Sequence, residues 1–193
     1  MKHLMVAIFF LSSLTGFSQR EKSSVLVGQM APKFSAIDQN GNLINSQDIL
    51  NNEELIVVFY RGEWCPYCNK HLKLLEDHVA DFKKAGARLV AITPEIPVSI
   101  SKTVEKTKAE YSILYDKDAM IMKAYGVDFR LPEKLQEKYK EYGIDLTKSN
   151  GNSDQMLPVP ATYVIGKDGI VKYFQYDPDY KNRSTPKEIL MHL

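Results

Sequence analysis

Apolar and polar positions divide the chain into short segments of alternating character. Side chains alternate from Phe34 to Ile37, turn-forming residues occupy Asp38 to Asn42, and Leu43 resumes the pattern, which predicts a β-hairpin. A short helix is expected from Ser46. Leu55–Tyr60, "LIVVFY", is an unbroken apolar run between polar residues, as in a strand buried on both faces. Leu72, Leu75, Val79 and Phe82 then recur at three- and four-residue steps, predicting one helix that stops at Gly86. "ARLVAIT" reads as a second buried strand, "VSISKTVEKTKAEY" as a helix, "SILYD" as a short strand and "AMIMKAYG" as a helix ended by Gly126. Residues 131–156 are polar, with a helix expected over Glu133–Tyr142 and a loop rich in Asn, Gly and Ser after it. "ATYVI" and "IVKYFQY" flank "GKDG", a hairpin signal. Thr185-Pro186 with Glu188 opens a last helix with a capping threonine, a first-turn proline and a capping glutamate.

Strands that alternate with helices predict an α/β domain whose central strands are parallel, closed by an antiparallel hairpin. The 193 residues suit one domain, and 44% hydrophobic residues suffice for a core without cross-links. In this plan the polar 131–156 stretch is an insertion, read as a cover over the active face or, alternatively, as a solvated excursion. A formal net charge of +1 gives no general pull toward nucleic acid or anionic membrane. Lys102, Lys106 and Lys108 alternate with Glu105 and Glu110, as on a solvated helix face.

The amino terminus has a different character. "MKHLMVAIFFLSSLTGFSQR" sets Lys2 and His3 before an apolar run from Leu4 to Leu14, then the small residues Gly16 and Ser18. This is the layout of a secretory signal peptide over residues 1–18, and the run is short for a bilayer span. No cysteine follows it to carry a lipid. Residues 19–193 are then expected to work outside the cytoplasm, periplasmic or extracellular, without stable membrane insertion. There a dithiol either oxidises or is kept reduced by a partner.

Both cysteines lie in "RGEWCPYCNKHL", two residues apart, with the single tryptophan just before them. As a staple, a bridge closing so short a loop contributes on the order of 2 kcal/mol, which a chain with this core scarcely needs. As half of a zinc site it lacks a second pair, even if His71 joined. A copper(I) carrier, using both soft sulfurs, is the non-enzyme alternative. The placement favours a reactive dithiol: where a buried strand gives way to a helix, Cys65 falls at the helix N-terminus, whose free N–H groups and dipole favour an anionic sulfur. Pro66 suits the first helical position. Lowering a thiol pKa from about 8.5 to about 6.5 raises the thiolate fraction at pH 7 from roughly 3% to roughly 75%. Nucleophilicity falls about eightfold in return, so the larger gain is as a leaving group. Cys68, one turn on, can resolve a mixed disulfide.

"MAPKF", "DQNG", "FYRGEWCPYC" and "PATYVIGKDG" together resemble the peroxiredoxin-like proteins of the alkyl hydroperoxide reductase/thiol-specific antioxidant group, over nearly all of residues 19–193. The resemblance implies a thioredoxin-like fold: a central mixed sheet, flanking helices and an N-terminal β-hairpin extension. It also implies a cis-proline facing the dithiol at Pro160, with the backbone of Val159 free to pair with a bound chain. Trp64, Pro66 and Tyr67 would supply contacts beside the sulfur. Peroxiredoxins carry Pro-x-x-x-Thr/Ser-x-x-Cys. Aligned on the strand, Arg61 stands for the proline, Cys65 for the threonine and Cys68 for the peroxide-attacking cysteine. The family's arginine falls on Pro160, and Arg61, Arg130 and Arg183 are candidate replacements. The buried aspartate of thioredoxins falls on Phe59, leaving Glu63 or Glu95 as a substitute base.

With those two donors lost, the residues predict an exported thiol–disulfide oxidoreductase with Cys65 as nucleophile and Cys68 as resolver. A peroxidase that reduces hydroperoxides, supplied by an electron-donor thiol protein, is the alternative. Its peroxide rate is expected to be about a hundredfold or more short of an intact site. No cofactor or metal is expected.

Overall fold

The computed structural model describes residues 23–193. The expected signal segment, residues 1–18, lies outside the described residues. A hairpin of β1 (Ser35–Ile37) and β2 (Leu43–Asn45) leads through α1 (Ser46–Leu50) to β3 (Glu54–Phe59). There follow α2 (Pro66–Glu76), α3 (Val79–Lys84), β4 (Ala87–Thr93), α4 (Pro97–Thr107), β5 (Ser112–Tyr115) and, after a 3-10 turn, α5 (Met120–Tyr125). The chain continues with β6 (Asp128–Arg130), α6 (Glu133–Glu141), α7 (Leu146–Asn150), β7 (Met156–Pro158), β8 (Ala161–Ile165), β9 (Val171–Tyr176) and α8 (Pro186–Leu190).

Five strands form the central sheet in the order β5-β4-β3-β8-β9. β3 is parallel to β4, and β4 to β5, while β8 runs antiparallel to both β3 and β9. As the middle strand, β3 is buried on both faces, which is why "LIVVFY" lacks polar alternation. Leu55, Val57 and Phe59 pack on one side with Tyr125 and Tyr163. Ile56, Val58 and Tyr60 pack on the other with Leu72, Leu75 and both cysteines. The fold is thioredoxin-like, as expected, with the β1–β2 hairpin added before it. No helix among the described residues is long and apolar enough to cross a membrane.

Three expectations change. The helix drawn to Gly86 is two, because His78 leaves helical geometry (φ −119°, ψ 8°) and its N–H turns to the Leu75 carbonyl. The helix drawn through Tyr111 ends at Thr107, where Lys108 takes a left-handed φ of 59° and frees Ala109 and Tyr111 for the core. The polar loop after α6 holds α7, which Asp145 caps through the Lys148 N–H and Gly151 ends in a left-handed conformation.

The polar segment is tied down by strands the hydrophobic pattern did not disclose: β6 pairs antiparallel with β7, Asp128 opposite Pro158. Leu131, Leu146 and Leu157 make a small core of their own, with Trp64, Phe129 and Tyr139 against it. Because Trp64 immediately precedes the first cysteine, this cluster lies over the dithiol turn. Leu157→Ala empties a fully buried position and is expected to destabilise this cluster by about 2–5 kcal/mol. Hydrogen exchange should accelerate over residues 131–157 while β3 and β4 keep their protection.

Candidate active site

β3 ends at Phe59, and Tyr60 still donates its N–H to the Ile92 carbonyl of β4. The chain then turns sharply, with the Cys65 N–H donating to the Gly62 carbonyl. A Cβ on Gly62 would collide with the Trp64 indole and lie 2.7 Å from Glu95 Oε1, so only glycine fits this approach. Cys65 caps α2, its sulfur accepting the Cys68 N–H at 3.3 Å, and Pro66 takes the first helical position. The helix start expected where the buried strand gives way to the motif is where the structure places it.

Both cysteines are reduced and fully buried. Arg61, only 7% exposed, donates from Nη2 to Cys65 Sγ at 3.2 Å and from Nη1 to the Tyr139 hydroxyl at 3.1 Å. Its guanidinium stacks on Tyr180 at 3.9 Å from the ring centre. Arg183, from the strap between β9 and α8, brings Nη2 to 3.5 Å from Cys68 Sγ and anchors Nε on the Tyr180 carbonyl. Nη1 of Arg183, Nε of Arg61 and Nε1 of Trp64 are buried donors without a hydrogen-bond partner among the described residues.

The two sulfurs hold one negative charge between them. Cys65 gives its hydrogen bond to Cys68, and this, with burial and the neighbouring charge, drives its own pKa far up against the pull of Arg61. Burial would raise Cys68 too. It is outweighed by the hydrogen bond from Cys65, by Arg183, and by the backbone N–H and guanidinium of Arg61, so the Cys68 pKa is lowered. These groups favour the charge on Cys68, one turn inside the helix, while Arg61 Nη2 and the Cys68 N–H both meet Cys65 Sγ at the helix end. The helix terminus favours Cys65, but the strap delivers a second cation to Cys68 that the local sequence does not reveal.

The supporting residues are partly those expected. His71 is no metal ligand: its Nε2–H donates to the Ser184 carbonyl, pinning the strap, and burial with Arg183 nearby lowers its pKa to about 4. Glu63 turns away from the sulfurs to Lys106 and Lys102 on α4. Glu95, fully buried, accepts the Glu63 N–H at 2.9 Å and the Ser149 hydroxyl at 2.8 Å, and so joins the dithiol turn to α7. Burial raises its pKa to about 8. Arg130 stays exposed on β6.

Trp64 packs edge-on against Tyr139, its ring centre 5.2 Å away, and Tyr67 stands 45% exposed against Tyr180. At Pro160 the expectation is corrected, since every described peptide bond is trans. The Val159 N–H is not free for a bound chain, because it donates to the Val127 carbonyl at 2.7 Å. The pairing that leads into β6 takes that donor. Val159 and Pro160 instead line a cavity of about 400 Å³ beside Arg61. Among the described residues no cluster of His, Cys, Asp or Glu could hold a metal ion. Of the three candidate replacements for the family's arginine, Arg61 meets Cys65 and Arg183 meets Cys68, whereas Tyr139 and Tyr180 are absent from the expected site set and nothing in their local sequence marks them.

A thioredoxin-like sheet that delivers a charged dithiol to a helix start defines a thiol-dependent oxidoreductase. The AhpC/TSA family profile matches residues 27–174, and the chain belongs to that family. It is 28% identical over 178 residues to peroxiredoxin Q, chloroplastic, of Oryza sativa subsp. japonica, covering 92% of this chain and 69% of that protein. Against peroxiredoxin Bcp of Escherichia coli (strain K12) it is 32% identical over 100 residues, 52% of this chain and 64% of the other. The crystal structure of peroxidoxin BcpB from Mycobacterium tuberculosis superposes with a TM-score of 0.64 at 20% identity, over 79% of this chain and 86% of that one.

Glu95 supplies a pH dependence of stability. Its folded pKa of about 8 lies above the ordinary 4.5, so the folded state holds a proton that the unfolded state has released between those values. The stabilisation is complete below about pH 4.5 and is lost as pH rises to about 8, a span worth at most about 4–5 kcal/mol. Denaturant titrations at pH 5 and 8 should show a steeper loss for the wild type than for Glu95→Gln.

Proposed function

We propose that this chain is an exported thiol-dependent peroxidase in which Cys68 attacks the hydroperoxide and Cys65 resolves the product. The observation that carries the reading is the Arg183 guanidinium 3.5 Å from Cys68 Sγ. The disulfide reading gained its preference from the loss of the family's arginine, and Arg183 supplies a cation there from another part of the chain. The similarity to peroxiredoxins Q and Bcp supports the same choice. Export rests on the charge, apolar run and small residues of 1–18.

The chemistry balances on these groups. Cys68 thiolate attacks the terminal oxygen of ROOH, the O–O bond breaks, and RO⁻ leaves to be protonated to ROH. The unpartnered Nη1 of Arg183 is a donor available for the charge that develops on that oxygen. Cys68 becomes a sulfenic acid. The Cys65 sulfur displaces its hydroxyl, which departs as water with the Cys65 proton, and a Cys65–Cys68 disulfide forms. A partner dithiol then returns two electrons and two protons by exchange. Resolution is local, since Cys65 and Cys68 lie one helical turn apart and the Cys65 sulfur already accepts the Cys68 N–H at 3.3 Å.

Cys68→Ser is expected to reduce peroxide consumption to background. Cys65→Ser should consume one equivalent and leave a sulfenic acid on Cys68 that dimedone captures. Arg183→Ala should slow the peroxide step about 10²–10³-fold, with partial rescue by lysine. Stopped-flow Trp64 fluorescence and mass spectrometry read these outcomes. Dimedone adduct on Cys65 in Cys68→Ser, at the wild-type rate, would reverse the assignment.

Disulfide exchange remains the second reading, because Cys65 occupies the helix cap and so can act as an exchange thiol. Insulin reduction faster than peroxide reduction would make it the primary one. A copper(I) carrier is disfavoured by the two guanidiniums against the sulfurs, which repel a cation.

A further inference from the structure

One buried titratable group beside the dithiol turn takes no part in the peroxide step. Glu95 lies in the connection from β4 to α4 and is fully buried, yet the lysines nearest the turn, Lys102 and Lys106, pair with Glu63 instead. Its Oε2 accepts the Glu63 N–H, two residues before Cys65, at 2.9 Å. Its Oε1 meets the Ser149 hydroxyl of α7 at 2.8 Å. A serine hydroxyl can donate to a carboxylate or accept from a carboxylic acid, so this seat accommodates both protonation states. With Gly62 packed against Oε1, the carboxyl is set directly on the backbone of the dithiol turn.

Each element packed around Glu95 presents a polar or titratable group. β4 offers the Thr93 hydroxyl, which receives the Glu95 N–H at 3.4 Å. Tyr60, at the end of β3, has its own ionisation opposed by Glu95. α7 offers Ser149, with Asp145 and Lys148 on the exposed side. Burial contributes most to raising the Glu95 pKa to about 8, and the charges of Glu63 in the turn and of Cys68 in α2 add to it. The contribution of Cys68 exists only while the pair is reduced, because a disulfide carries no charge.

We infer that Glu95 is the proton-holding residue of the dithiol, keeping its proton while Cys68 is a thiolate and releasing it once the Cys65–Cys68 disulfide forms. A reduced pair with one proton and one negative charge gives two electrons to a hydroperoxide or to a disulfide. Completing the products, ROH with water or two thiols, then takes up one further proton. Near pH 8 Glu95 supplies part of that proton from within the fold. When a partner dithiol reduces the pair, the proton set free as the thiolate forms returns to Glu95. The inference needs only the change between dithiol and disulfide, which the peroxidase and exchange readings share. By linkage, the factor by which oxidation weakens proton binding at Glu95 equals the factor by which ionised Glu95 disfavours the reduced pair. Couplings between linked sites commonly run from about 5-fold to about 150-fold, and about tenfold is expected here.

Carbon-13 NMR of the glutamate carboxyls, followed against pH in the reduced and the oxidised wild type, reads the proton directly. Its Glu95 signal is assigned by its absence from Glu95→Gln. Expected is a Glu95 proton affinity about tenfold lower in the oxidised protein. Redox equilibrium against dithiothreitol at pH 6 and pH 9 reads the same coupling from the other side, since the reagent's own pH dependence cancels between variants. Over that interval the ratio of reduced to oxidised wild type should fall about tenfold further than that of Glu95→Gln. Glu95→Asp, which keeps an ionisable group, should restore part of the difference. Affinities within twofold of each other in the two redox states, or wild type and Glu95→Gln tracking within twofold, would overturn the inference, as would failure of the Cys65–Cys68 disulfide to form. If Glu95→Gln does not fold, the glutamate signal with the highest titration midpoint in the wild type decides alone. Neither measurement uses peroxide, so failure of the peroxidase reading leaves the outcome readable.

Discussion

One proton shared between two buried sulfurs is the constraint around which the site is organised. A dithiol that is fully buried cannot carry two negative charges, and burial alone would leave it with none. A single charge is held because two guanidiniums, a helix start and a backbone N–H converge on the pair. The site is therefore tuned by donor placement, and the helix dipole is only one contributor to it.

Burying those cations requires partners of their own. Arg61 is held by the Tyr139 hydroxyl and the face of Tyr180, and Arg183 by the Tyr180 carbonyl. Tyr139 belongs to the polar segment and Tyr180 to the strap. Two excursions from the sheet, distant in sequence, thus converge on the same pair of charges. His71 anchors the strap through Ser184, and Glu95 ties the dithiol turn to α7 through Ser149. These contacts form a clamp, and the sheet beneath it supplies the fixed base.

The same clamp leaves donors unused. Nη1 of Arg183, Nε of Arg61 and Nε1 of Trp64 are buried without partners among the described residues. Orphaned buried donors cost stability, on the order of 1–3 kcal/mol each. Their clustering around reactive sulfurs is what a site that binds oxygen-bearing ligands requires, because preset donors need no rearrangement when charge develops.

The pattern of apolar and polar residues determined the sheet: β3, β4 and β8 stand where their runs predicted, because a central strand must be apolar on both faces, and the edge strand β9 follows β8 through the turn that "GKDG" marks. Local chemistry determined the start of α2, since Cys65 and Pro66 carry their own cap and first turn. The capping box of α8 is local for the same reason. The segment over residues 131–156 was legible as a polar insertion, but the small core that holds it in place was not, because three leucines spread from Leu131 to Leu157 give no periodic signal. Which sulfur holds the charge was decided by tertiary structure alone. Arg183 lies 115 residues from Cys68 in sequence, and only the path of the strap brings its guanidinium to that sulfur. Local spacing fixes the geometry of a helix start, whereas the potential at a buried atom sums over every charge the fold brings near it.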